Sequence, residues 1–174
     1  MRLSPLEESF DKSIKIAGDV FTNDILYYMR TQHNLYVGDA SAEMIKIDVG
    51  AAMEELEDAP DDITVRGRDL LTGKPKEVKI TFREIARALD KSIQRIEDAI
   101  MVTLSLTPPE LAADIYNTGL YLAGGGAMLR GLDKRISQKT DLPVFIAEDP
   151  LRAVVMGTGA VLKDIPKYKR VLIK

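Results

Sequence analysis

The chain has 174 residues, 45% of them apolar, which suits one globular domain or one large lobe of a bigger protein. A net charge of −3 argues against nucleic-acid binding by phosphate neutralisation, and the mixed tail Lys163–Lys174 reads as solvated. With no cysteine and a single histidine, His33, a disulfide framework, a thiolate zinc site, a cysteine nucleophile and a histidine-rich metal centre are excluded. No apolar run approaches the ~18 residues of a membrane span and no signal peptide opens the chain, so the expectation is a cytoplasmic protein.

Ile14 and Ile16 predict the end of a strand, closed by Gly18-Asp19. Val20, Ile25, Tyr28 and Met29 then form a helical stripe to about Gln32, which makes His33 a surface or C-terminal helix residue rather than a general base. A second helix is predicted over Ala40–Val49, with Ala42, Ile45 and Val49 inward and Asp39 or Ser41 as cap. The acidic stretch Ala51–Asp62 predicts a solvated loop. Alternation around Ile63 and Val65, and again around Val78 and Ile80, predicts two strands joined through Leu71–Pro75.

Phe82, Ile85, Leu89, Ile93, Ile96, Ile100 and Leu104 step by three or four, which predicts a long helix with one continuous core face. It ends at Thr107-Pro108-Pro109-Glu110, where Thr107 and Glu110 predict a capping box for another helix, closed by Asn117 and Gly119. The run Leu120–Ala123 then reads as a buried strand entering Gly124-Gly125-Gly126-Ala127. Met128, Leu129, Leu132 and Ile136 come next at helical spacing. Residues without Cβ admit close approach to the backbone, and a helix N-terminus offers unpaired N–H groups. By itself this motif fits either a nucleotide cradle or a strand-to-helix turn that holds nothing. Val144–Ile146 predicts a second buried strand, and Asp149-Pro150 opens a last helix. The cost of Gly157 and Gly159 there, about 1 kcal/mol each against alanine, predicts either close packing by another element or a bend in the backbone. The order of elements gives an α/β lobe with a smaller α+β subdomain inserted near residues 34–95.

Several motifs share this order: Gly18-Asp19, Glu43-Met44-Ile45-Lys46, Val65-Arg66-Gly67-Arg68, Pro108-Pro109-Glu110-Leu111, Gly124–Ala127, Ala147–Pro150 and Gly157-Thr158-Gly159. Together they resemble the MreB family of bacterial actin homologues that determine rod shape, over roughly residues 13–165. The segment Met1–Asp11 carries no part of the likeness. The resemblance implies the second lobe of the actin and heat-shock-chaperone ATPase fold. Its large subdomain would be about residues 1–33 and 96–174, and its small one about 34–95.

The resemblance further implies ATP or ADP as cofactor. Gly124, Gly125, Gly126 and Ala127 would lie at the sugar and neighbouring phosphate, Glu43, Met44, Ile45 and Lys46 at the ribose and base edge, and Asp19 near the cleft. The phosphate hairpins and the water-positioning glutamate of the first lobe have no counterpart in these residues. Mg²⁺ would therefore be held mainly elsewhere, and this chain alone is expected not to be an ATPase. Partners implied are further copies in a filament and membrane-associated cell-shape proteins. The implied location is the cytoplasm at the inner face of the membrane, with no insertion by this chain and no nucleic acid. A chaperone- or sugar-kinase-type lobe and a structural adaptor that never meets nucleotide are the alternatives.

Overall fold

The computed structural model describes residues 12–168, so Met1–Asp11 and the end of the basic tail lie outside the described residues. The strand end predicted at Ile14 and Ile16 does not form among the described residues. Residues 12–17 take no regular structure and find no ladder among the described residues, although Ile16 still packs on the core. Helix α1 (Gly18–His33) buries Phe21, Ile25, Leu26 and Met29 and stops at Asn34, whose φ of 53° is left-handed. Its last residue, His33, places Nε2 3.0 Å from Glu84 Oε1.

Strand β1 (Leu35–Tyr36) lies antiparallel to β2 (Ile63–Asp69), which forms a hairpin with β3 (Pro75–Ile80). Helix α2 (Asp39–Val49) comes between β1 and β2 and buries Ala42, Ile45 and Val49. Its N-cap is Gly38 with no side-chain bond, so neither Asp39 nor Ser41 caps it. The stretch after α2 is not simply a solvated loop. Ala51 and Ala52 are fully buried, and Ala52 N–H donates to the Arg130 carbonyl at 2.8 Å. Glu54 and Glu57 pair with Arg87 and Lys134 at 2.7 and 2.9 Å.

Helix α3 (Phe82–Leu106) opens on a capping box that the sequence reading missed: Glu84 N–H donates to Thr81 Oγ1, and Thr81 N–H to Glu84 Oε2. The predicted box at Thr107 is absent. Thr107 ends α3 and its hydroxyl donates back to the Thr103 carbonyl, while Pro108 is the N-cap of α4 (Pro109–Thr118). The stripe of α3 is deeply buried only as far as Ile93 and Ala99. Ile96, Ile100 and Leu104 are half-buried and, with Leu111, Ile115 and Leu120, line an open groove of about 620 Å³.

Strand β4 (Leu120–Leu122) pairs in parallel with β5 (Val144–Ile146), the crossover being a 3-10 turn at Gly125–Met128 and helix α5 (Leu132–Thr140). These strands are not the buried ones predicted, because Tyr121, Phe145 and Ile146 stand exposed on a sheet of two strands. The last helices are α6 (Ala153–Lys163) and α7 (Ile165–Tyr168). Asp149 and Pro150 belong to a turn before α6, where the Asp149 carboxylate accepts from Arg152 N–H at 3.1 Å. The close packing predicted for Gly157 and Gly159 is not seen, since a Cβ at either would meet nothing within 4 Å.

The core is one cluster drawing on α1, β1, α2, β2, β3, α3 and α5. The subdomain limit expected near residue 34 falls at the turn ending α1, and that near residue 95 falls inside unbroken α3.

Candidate functional site

The glycine turn starts at Gly124, whose φ of 88° suits glycine and whose N–H donates to the Pro150 carbonyl at 2.7 Å. The chain then enters the short 3-10 turn, not the predicted α-helix. That helix, α5, begins only at Leu132, after Gly131 with φ 75°. Gly125 and Gly126 head the 3-10 turn, the position whose N–H groups have no acceptor within their own helix. A Cβ at Gly126 would meet nothing within 4 Å, and one at Gly125 only Leu151 Cδ2 at 3.6 Å. Gly131 differs, because a Cβ there would strike Leu56 at 2.7 Å. Packing among the described residues therefore accounts for glycine at 131 but not at 125 or 126. Ala127 is buried beneath the turn.

A second cluster joins the start of α1 to α2. Lys46 Nζ donates to Glu43 Oε2 at 2.7 Å and to Thr22 Oγ1 and the Gly18 carbonyl, both at 3.1 Å. Thr22 Oγ1 lies 2.8 Å from Glu43 Oε2 and 3.0 Å from the Gly18 carbonyl oxygen. The Lys46 ammonium and then the Thr22 hydroxyl hold the Glu43 carboxyl below its usual range. Asp19 is exposed in the first turn of α1 and does not cap it, the N-cap being Ala17. Met44 is exposed, whereas Ile45 is fully buried and turns its side chain into the core.

Helix α2 links the two clusters. Its Ile47 carbonyl accepts from the Arg130 guanidinium at 3.1 Å, and Ala51 bridges to Arg130, two residues past the 3-10 turn. Thr22 and Arg130 were not legible as site residues, because only the packing of α1 on α2, and of α2 beside the turn, gives them their partners. Among the described residues no group of three or more His, Cys, Asp or Glu is placed to hold a metal ion. A cavity of about 430 Å³ with a mixed polar and apolar lining lies elsewhere, between the start of the 51–62 stretch, α3 and α5. Its charges are internally matched, Arg135 pairing with Asp90 at 2.8 Å and Arg87 with Glu54 at 2.7 Å.

The family model for MreB/Mbl protein matches residues 6–170, wider than the likeness read from the motifs and reaching into Met1–Asp11. The cell shape-determining protein Mbl of Bacillus subtilis is 39% identical over 91% of this chain and 47% of its own length. The cell shape-determining protein MreB of Escherichia coli is 41% identical over 91% of this chain and 45% of its own length. The chain thus spans about half the length of these relatives. Among solved structures, MreB5 of Spiroplasma citri bound to ADP is 38% identical and superposes with a TM-score of 0.85, over 90% of this chain and 47% of that one. The same protein bound to AMPPNP gives 0.84. A MamK double helical filament, at 20% identity and a TM-score of 0.64 over 79% of this chain and 42% of that one, shares the fold.

Proposed function

The chain belongs to the MreB/Mbl family, and from that premise we propose that it forms the adenosine side of a nucleotide site in a filament-forming cell-shape protein. The observation that carries this reading is the glycine turn. Gly125 and Gly126 leave open a space that nothing among the described residues fills, in a fold whose solved relative was crystallised with ADP and with AMPPNP. Gly124, Gly125 and Gly126 let a sugar and its first phosphate approach the backbone. Glu43 offers a carboxylate to ribose or base donors, with Met44 and Lys46 beside it. Ile45 and Ala127 serve as the packed floor, and Asp19 stands at the cleft edge.

The residues present fit the adenosine half of ATP or ADP, and that nucleotide would supply the state that decides assembly. No acidic cluster for Mg²⁺ stands among the described residues, and the metal and the γ-phosphate are assigned to another part of the site. The division into a large subdomain, about 1–33 and 96–174, and a small one, about 34–95, belongs to the same proposal. So do filament assembly with further copies, contact with membrane-associated cell-shape proteins, and action at the inner face of the membrane.

The test is an ATP titration of the chain read by backbone amide NMR. The Gly124–Ala127 and α2 signals should move, and no phosphate should be released above background. Gly125→Val should abolish the shifts while leaving the fold intact, since Leu151 is the one neighbour its Cβ meets. An ATP response that survives Gly125→Val, or a wild-type spectrum that never moves, overturns the reading.

A further inference from the structure

An ammonium group has three N–H donors, and all three of Lys46 are spent inside the chain, on the Gly18 carbonyl, Thr22 Oγ1 and Glu43 Oε2. The Lys46 side chain is only 15% exposed. In this arrangement it has no donor left for a ligand. Thr22 completes the knot from the neighbouring helix: its oxygen accepts from Lys46, and its single proton goes to Glu43 Oε2 or to the Gly18 carbonyl. Glu43 Oε2 is thus held from two sides. No bond from the described residues reaches Oε1, and the Glu43 side chain is 49% exposed.

We propose that Thr22 is a positioning residue of the nucleotide half-site: together with Lys46 it clamps Glu43 across the α1–α2 junction and leaves Oε1 to accept from the ligand's ribose or base. This inference rests on the nucleotide reading given above and changes one part of it, making Lys46 a clamp rather than a ligand contact. The rival account is local. Helical threonines often bond back to the carbonyl four residues earlier, as Thr22 can to Gly18, and such a bond would leave Glu43 indifferent to Thr22.

The experiment compares Thr22→Val, which removes the hydroxyl and keeps the shape, with Thr22→Ser, which keeps the hydroxyl. ATP affinity by NMR titration of the whole chain is read beside a carbon-13 titration of the Glu43 carboxyl. Thr22→Val should weaken ATP binding roughly tenfold, the order expected for a hydrogen bond to a charged group. It should also raise the Glu43 titration midpoint toward that of an ordinary glutamate. Thr22→Ser should restore both, and Lys46→Ala should produce the same two changes and add little when combined with Thr22→Val. Thr22→Ala serves as a second variant should valine disturb α1. Wild-type ATP affinity in both Thr22→Val and Thr22→Ala overturns the proposal and leaves the nucleotide reading standing. No ATP binding by the wild-type chain overturns both.

Discussion

The carboxylate of Asp69 gathers bonds at the tip of the β2–β3 hairpin. Thr72 N–H reaches it at 2.8 Å, Leu71 N–H at 2.9 Å, and Lys76 Nζ at 3.1 Å. The Thr72 backbone bond first, then Lys76, pushes its pKa down to about 2. Linkage sets the sign of the effect. A carboxyl depressed in the folded state stabilises the turn fully above its unfolded value near 3.8, and that contribution is lost as pH falls through about 2. The Leu71 and Thr72 amide signals should therefore hold steady down to about pH 3 and move as pH falls through about 2, whereas Asp69→Asn should flatten that response. An Asp69 carboxyl that titrates near 4 would contradict the turn as described. The sequence marks Leu71–Pro75 as a loop, yet Asp69 is silent there. Its role needs the chain to reverse and bring Leu71, Thr72 and Lys76 to one oxygen pair.

Two stretches of the chain read Thr-x-x-Glu, and only one of them starts a helix. At Thr81-Phe82-Arg83-Glu84 the threonine is extended and both reciprocal bonds form. At Thr107-Pro108-Pro109-Glu110 the threonine is still the end of α3, and the helix start moves past Pro108, so Glu110 is no longer three residues beyond the cap. Replacing Thr81 by alanine should cost about 1 kcal/mol in urea unfolding, while Thr107→Ala should stay within ~0.5 kcal/mol. Equal losses at the two sites would show that Thr107 caps α4 after all. The long helices α1, α2 and α3 were legible because their apolar stripes repeat over several turns and face one core. The glycine motif was legible as a turn between β4 and a helix. The delay of α5 to Leu132 was not, because Met128 and Leu129 sit at helical spacing while belonging to the 3-10 turn and its exit.

At the scale of the whole chain, burial is where the sequence misleads. Apolar strands and helices look alike whether their cover lies in the chain or outside it. Helix α6 shows this plainly: Val154, Val155, Met156 and Leu162 are 72, 71, 62 and 66% exposed, and Leu151 just before it is 64% exposed. A helix apolar on all sides is ordinarily covered, and its principal packing partner among the described residues is short α7. An apolar helix this exposed drives association. The chain by itself should therefore self-associate, its sedimentation coefficient rising over about a hundredfold range of concentration. The segment Ile14–Ile16, read in sequence as the end of a strand, forms none, so edge-to-edge strand pairing there is not the route. The α6 face remains. Val155→Lys places a charge on that face at a position the fold does not bury, so it should return the chain to monomer while leaving its unfolding midpoint unchanged. A wild-type chain that stays monomeric across the whole range would show that the exposed face of α6 does not draw copies together. Association that persists in Val155→Lys would move the contact elsewhere, to the open groove beside Ile96, Ile100 and Leu104.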